Sequence, residues 1–384
     1  MQAHLDELAA GDLYRRLRVM DSPPGPRIML EGREWLAFAS NDYLCLANDP
    51  QVRQAAVDAI GRWGVGAGAS RLINGTSRPH ADLESALAAF KKTEAALVAS
   101  TGWMANHVAI AALAGNGDLI LCDKLNHASI LDAARSCGAV MRTFPHGDLS
   151  RLEKLLARER SRFRRCLIIT DSLFSMDGDL ADLVGMADLK RRYDALLMID
   201  EAHATGVFGA GGRGAAEHLD MEADVDVTVG TLSKALGGLG GFVAGPRVLI
   251  ETIINAGRAF IYTTALPPAL CAAAMKAMEL VQSQPQRRVH LLELAQRFRR
   301  QLKELGLDTG PSCSQIIPIV LGSAADALAA SRQLAQQGFL ILAVRPPTVP
   351  PNSSRLRVSL CSGHTDDDLA ALTQALQKIN PSRR

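Results

Sequence analysis

The sequence lacks the features that would point to nucleic acid, membranes or metals. Lys and Arg number 42 against 40 for Asp and Glu, so the formal charge of +2 provides no broad basic surface, and any basic site must be local. No stretch approaches the ~18 uninterrupted apolar residues of a membrane span. The N-terminal MQAHLDELAAGDLYRRLRVM is amphipathic, carries acids early and has no signal-peptide apolar centre. The seven cysteines (Cys45, Cys122, Cys137, Cys166, Cys271, Cys313, Cys361) form no C-x-x-C pair. Several sit in apolar runs such as LILCD and CLIITD, which predicts buried free thiols in place of disulfides or a metal site. No Walker A sequence, H-E-x-x-H, G-x-S-x-G, internal repeat or low-complexity tract occurs. These absences lead us to expect a cytoplasmic protein with no metal, no nucleic-acid partner and no membrane contact.

What is present suits an α/β enzyme. A chain of 384 residues, 48% hydrophobic and 21% charged, can bury a large core and suggests two domains. Residues 3–19 read as a helix, followed by short strands near Arg27–Leu30 and Trp35–Ala39; this opening, 1–44, is expected to be an arm. From 45 to 282, helical patterns alternate with the short apolar runs AALVAS, LILCD, VMRTF, CLIITD, ALLMID, VDVTVGT and GFVAG. Such alternation predicts a mostly parallel sheet covered on both faces. In HADLESALAAFKK, Leu83, Leu87 and Phe90 fall at helical spacing and are read as core packing. After helices near 246–257 and 267–282, the region 283–384 changes pattern. IIPIVL, a helix over 324–337, FLILAV, a Pro-rich loop, RLRVSL and a last helix opened by Thr365 predict a smaller α+β unit, and the tail NPSRR is expected to fray.

Polar residues collect where the apolar runs end, which is where open α/β sheets bind ligands. CLIITD ends in Asp171, ALLMID in Asp200, VDVTVGT in Thr231 and LILCD in Asp123, and these ends are expected to share one crevice. A carboxylate at the end of an apolar strand needs a cation or donor, so Asp200 with His203 is a candidate site, although a helix cap or ion pair would give the same pattern. In a pyridoxal 5'-phosphate (PLP) site, an aspartate keeps the pyridine nitrogen protonated and the ring becomes an electron sink, while a nearby histidine could hold the phenolic oxygen. Lys234 lies in GTLSKALGGLGG, where the glycines leave room for a bulky group and Thr231 and Ser233 offer hydroxyls to a phosphate. An isolated loop lysine is ordinarily a solvated charge; with Asp200 present, a Schiff-base lysine is the better reading. In STGWMAN, the amides of Gly102 and Trp103 could open a helix and grip a phosphate, or form an ordinary turn. His127 is either a helix-start residue or a ring stacked on a cofactor. GVGAGA (64–69) matches a dinucleotide fingerprint loosely but follows a helical pattern, so it is rejected.

NDYLCLA, SRLINGT, LNHASI, FSMDGD, DEAHATGVFG and TLSKALGG, in that order, resemble the α-oxoamine synthases of the fold-type-I PLP superfamily. The resemblance implies an aspartate-aminotransferase-like fold and a homodimer with shared active sites. It implies condensation of an amino acid with an acyl thioester and loss of carbon dioxide. It assigns Lys234 as the Schiff-base lysine, Asp200 as the pyridinium partner, His203 to the phenolic oxygen and His127 to the ring face. Gly102, Trp103, Ser175 and Thr231 fall on cofactor positions, and Thr263 or Thr264 on a position that reaches the partner subunit's phosphate. Asn41, Arg357 and Arg345 fall near the amino-acid carboxylate, and Arg15 and Thr348 on acyl positions. RPPTVP (345–350) and IYTTALPP (261–268) are most similar to the branch that uses L-alanine and a pimeloyl thioester, on acyl carrier protein or coenzyme A. A glycine-using acetyl-CoA ligase, an aminotransferase or decarboxylase of the same fold, and a noncatalytic scaffold subunit remain alternatives. The family motif usually reads NDYLGL, so Cys45 replaces a glycine, and Trp103 stands where a smaller aromatic is common.

Overall fold

The computed structural model describes residues 1–379 apart from Asp12 and Arg16. The tail NPSRR, where fraying was expected, lies outside them. The first helix covers Gln2–Ala10, buries no residue and ends at Gly11. The helix expected to run to residue 19 therefore stops early, and farther along Arg18 instead bonds to Glu31 and lies over the Trp35 ring at 4.7 Å.

The strands, in chain order, are β1 (Arg27–Leu30), β2 (Arg33–Ala37), β3 (Ala95–Ala99), β4 (Leu119–Asp123), β5 (Val140–Phe144), β6 (Cys166–Asp171), β7 (Leu196–Asp200), β8 (Val227–Thr231), β9 (Gly241–Gly245), β10 (Ile316–Gly322), β11 (Phe339–Leu340), β12 (Leu342–Val344) and β13 (Ser354–Ser359). A seven-stranded sheet has the order β3-β9-β8-β7-β6-β4-β5. All neighbours are parallel except β9, which runs antiparallel to both β3 and β8. β4 and β6 are buried along their whole length, which is why they read as unbroken apolar runs. The helix over Arg78–Lys91 covers one face with Leu83, Leu87 and Phe90 buried; full burial of such a side chain stabilises by about 1.5–3 kcal/mol.

The second region is built on the antiparallel sheet β10-β13-β12, with the helices Gln286–Glu304, Ala324–Gln336 and Asp366–Lys378. FLILAV, expected as one strand, is divided at Ile341: β11 pairs with β2 while β12 pairs with β13. The opening segment is thus part of this layer, because β2 lies between β1 and β11. One core cluster runs through both regions, joining Leu83, Leu87 and Phe242 to Phe298, Leu356 and Val358.

The thiols are unpaired, but the expectation of burial holds only for Cys122, Cys166, Cys271 and Cys361. Cys45 and Cys137 are half-buried and Cys313 is exposed, since these positions fall in loops and at a helix end where no second layer covers them. GVGAGA follows the helix Pro50–Trp63, so the dinucleotide reading has no strand to stand on. No helix among the described residues is long and apolar enough to cross a membrane.

Candidate active site

The parallel strands β6, β7 and β8 bring their carboxyl ends together, and Asp171 and Asp200 are register partners. Asp200 is buried. Its Oδ2 accepts a hydrogen bond from Asn106 Nδ2 at 2.7 Å and its Oδ1 accepts from Ala202 N–H at 2.8 Å. Asn106 also donates to Ser129 Oγ at 2.9 Å, while its own Oδ1 is buried without a partner among the described residues.

Lys234 follows β8, and its Nζ lies 2.8 Å from His203 Nε2. Burial pushes the Lys234 amine down to about 8, against the pull of the Asp200 and Asp171 charges. Burial, and then the Lys234 and Arg357 charges, hold the His203 imidazole well below its ordinary value. A chain of contacts fixes the tautomer. Tyr43 Oη donates to Asn41 Oδ1 at 3.1 Å, so in its 2.6 Å contact with His203 Nδ1 it must accept. His203 therefore carries hydrogen on Nδ1 and offers Nε2 to the lysine. Gln315 Nε2 secures the loop by donating to the His203 carbonyl at 3.0 Å.

Arg357, buried on β13, reaches across from the second region. Its guanidinium donates to the Ser175 carbonyl at 2.5 Å, to Ser359 Oγ at 2.7 Å and to Asn41 Oδ1 at 3.3 Å. Neighbouring Arg355 pairs with Asp177, so the FSMDGD loop is held by two arginines from β13. The Tyr43, Asn106 and Asp171 side chains are part of this site although no role was read for them. Tyr43 and Asn106 stand inside quoted motifs and Asp171 at a strand end, which were the available signals.

His127 caps the helix Ala128–Ser136 through its Nδ1, which contacts Ser129 Oγ at 2.8 Å, so the helix-start alternative holds. Its exposed ring still faces the site: Asp200 and Lys234 both act on its charge, and the Trp103 ring meets it edge-on at 6.0 Å. Asp123 departs from the expected crevice, because its buried carboxylate turns to His146 Nδ1 at 3.1 Å and to the Leu125 and Gly147 amides.

Gly102 opens the helix Gly102–Leu113, capped by Thr101 Oγ1 on Met104 N–H. A Cβ at Gly102 would lie 3.4 Å from the Thr231 side chain, so the glycine keeps this cradle open. Thr231 Oγ1 is itself occupied by the Gly240 carbonyl at 2.8 Å and by Ser233 Oγ at 2.7 Å. Thr264 pairs with Ser70 and its carbonyl accepts from Ser100 Oγ at 3.1 Å, beside the same helix start; Thr263 is its half-buried neighbour. Thr348 lines a small cavity with Leu125, Phe174, Ser175 and Val349. Arg345 is half-buried and Arg15 exposed, and among the described residues neither side chain bonds to any of these groups.

The donor set fits PLP. A helix start with a glycine cradle suits the phosphate, a buried carboxylate suits a protonated ring nitrogen, and a desolvated lysine beside a neutral histidine suits a covalent link. Residues 33–376 match the model of aminotransferase class I and II. The chain is 47% identical over 377 residues to an 8-amino-7-oxononanoate synthase of Geobacter sulfurreducens, covering 98% of this chain and 96% of that one. Among solved structures it is similar to an SPT with PLP, at TM-score 0.93 and 31% identity over 98% and 96% of the two chains. It is also similar to an 8-amino-7-oxononanoate synthase of Francisella tularensis, at TM-score 0.79 and 28% identity over 90% and 97%.

Proposed function

Because the chain belongs to the aminotransferase class I and II family, in its 8-amino-7-oxononanoate synthase branch, we infer that it is a PLP-dependent acyltransferase of biotin biosynthesis. It joins L-alanine to a pimeloyl thioester, on acyl carrier protein or coenzyme A, and releases 8-amino-7-oxononanoate, carbon dioxide and free thiol. The observation that carries this reading is Lys234 at 2.8 Å from a neutral His203, with Asp200 acting on its charge. Fold similarity alone does not select the substrates, since SPT superposes with the higher TM-score. The 47% identity to the synthase, with RPPTVP and IYTTALPP, favours alanine and pimeloyl.

Lys234 would hold the cofactor covalently, Asp200 its ring nitrogen, His203 its phenolic oxygen, and Gly102, Trp103, Ser175 and Thr231 the remainder. When bound, PLP supplies an electron sink for the charge left on the amino acid's Cα. Arg357, preset by Asn41 and the Ser175 carbonyl, would take the amino-acid carboxylate as a planar fork, with Arg345 on the same side. Lys234 Nζ moves the Cα proton: an amine brought down to about 8 is roughly one-tenth unprotonated at pH 7, far more than an ordinary lysine. A positioned base of this kind contributes about 10²–10⁴-fold. His203, neutral at Nε2, accepts from the amine without competing for its proton. His127 lies over the reacting region and would polarise the thioester carbonyl; Thr348 and Arg15 would face the acyl chain.

We further propose a homodimer with shared sites, in which Thr263 or Thr264 serves the partner subunit's phosphate. The exposed Leu72, Ile73, Leu239 and Tyr262, close in sequence to Ser70, Gly240 and Thr264, support a covered face there. The unpaired thiols suit a reducing cytoplasm. The test is an absorbance titration of PLP-loaded protein with L-alanine, glycine and L-serine, followed by pimeloyl thioester with thiol release monitored. A response to alanine with thiol release that needs both substrates supports the reading; a glycine response with acetyl-CoA turnover overturns it.

A further inference from the structure

The turn in NDYLCL holds Cys45 at φ +54°, a left-handed conformation that favours glycine. Its thiol lies against the chain that follows β13. A Cβ on Gly363 would be 3.0 Å from Cys45 Sγ, Ser362 N–H donates to the Tyr43 carbonyl at 2.8 Å, and the Cys361 thiol is near enough to act on the Cys45 thiol. Cys45 is half-buried and lines a surface pocket with Pro24, Pro26 and Asn48, whereas Cys361 is buried. His364 completes the group. Its Nε2 faces the Ala37 carbonyl at 3.1 Å and so carries the hydrogen, leaving Nδ1 as an acceptor 3.0 Å from Cys361 N–H and 3.3 Å from Cys361 Sγ.

We propose that Cys45 and Cys361 form a site of reversible oxidative modification, in which a peroxide or a small disulfide converts the two thiols to a disulfide that lowers turnover. The accessible Cys45 reacts first, and the neighbouring Cys361 thiol draws its thiol below the usual value, favouring the thiolate. The thiolate attacks a peroxide oxygen, giving a sulfenic acid and hydroxide, which takes up the proton that Cys45 released. The Cys361 sulfur then displaces the sulfenic oxygen as the S–S bond forms, and the Cys361 proton leaves with that oxygen as water. Two thiols and one hydrogen peroxide give one disulfide and two waters; oxidised glutathione gives the same bond and two reduced glutathiones.

Bonding requires the sulfurs to close to an S–S length of about 2.05 Å. Cys361 is buried and braced by its His364 bond, so the Cys45 turn must move, carrying Tyr43 and Asn41, which touch His203 and Arg357.

The experiment treats the PLP-loaded full chain with hydrogen peroxide or oxidised glutathione, maps peptides without reduction and measures turnover before and after dithiothreitol. The expected result is a crosslink between the Cys45 and Cys361 peptides and a several-fold loss of turnover, both reversed by reductant. Both should be absent in Cys45→Gly, which the left-handed turn accepts, and in Cys361→Ser, while Cys313→Ser behaves as the parent. Oxidation of other cysteines without this crosslink, a crosslink without change in turnover, or an equal loss in Cys45→Gly would overturn the proposal. The activity arm rests on the reaction proposed above, and the peptide map does not, so failure of one is distinguishable from failure of the other.

Discussion

Asp171 and Asp200 are register partners at the ends of adjacent parallel strands, and both are buried. Burial, and then the Asp200 charge, push the Asp171 carboxyl well above its ordinary value, which favours its protonated form, while its Oδ2 accepts the His127 N–H at 2.7 Å. An amide can replace a protonated carboxyl there. Asp171→Asn is expected to fold with stability within about 1 kcal/mol of the parent and to keep activity within about tenfold. Asp200→Asn removes the charge proposed to face the ring nitrogen and should lower kcat by about 10²–10⁴-fold. Steady-state kinetics of the pair decide the assignment, and equal losses would refute it.

Lys234 must be unprotonated to bond PLP, and its amine is brought down to about 8 by burial. Loading of the apo chain should therefore quicken as pH rises from 6.5 and level off above about 8.5, roughly two units below an ordinary lysine. Stopped-flow absorbance after mixing with PLP measures this directly. A rate still rising steeply at pH 10 would show that Lys234 is not desolvated. Lys234→Ala should show neither covalent loading nor turnover.

The strands, the polar strand ends and the lysine were legible because parallel strands buried on both faces must be apolar until they reach the crevice. The partners were not, because they come from distant chain. Asn106 meets Asp200, Tyr43 meets His203, and Arg357 meets Asn41 and Ser175 only once the layers are packed. The same limit explains FLILAV. Its apolar pattern records burial and not which sheet receives each half, and β2, which takes β11, lies some three hundred residues earlier in sequence. The overlong first helix shows the reverse case, a local pattern whose helical part buries no residue that would extend it.

Arg357 is held in a fixed plane by Asn41, Ser359 and the Ser175 carbonyl, so its fork is preset before substrate arrives. A lysine cannot reproduce those contacts. Arg357→Lys should raise KM for alanine by about 10–100-fold, equivalent to about 1.4–2.7 kcal/mol, with a smaller effect on KM for the thioester. Circular dichroism checks that the buried substitution folds. A loss confined to the thioester would move Arg357 to the acyl side.

His146 bridges two carboxylates, with Nδ1 3.1 Å from Asp123 and Nε2 2.9 Å from Asp179. Serving both requires hydrogen on both nitrogens, and these bonds raise its pKa to about 10. The bridge joins the loops that carry His127 and Ser175. A folded-state pKa above the unfolded value gives stability that is fully present below the ordinary 6.5 and lost as pH rises through about 10. His146→Gln cannot carry the charge, so it should be less stable by about 3 kcal/mol at pH 6, with the deficit shrinking steadily toward pH 10. Urea unfolding of both proteins across that range measures the difference. A deficit unchanged between pH 6 and pH 10 would mean that shape, and not the imidazolium charge, is what the two aspartates require.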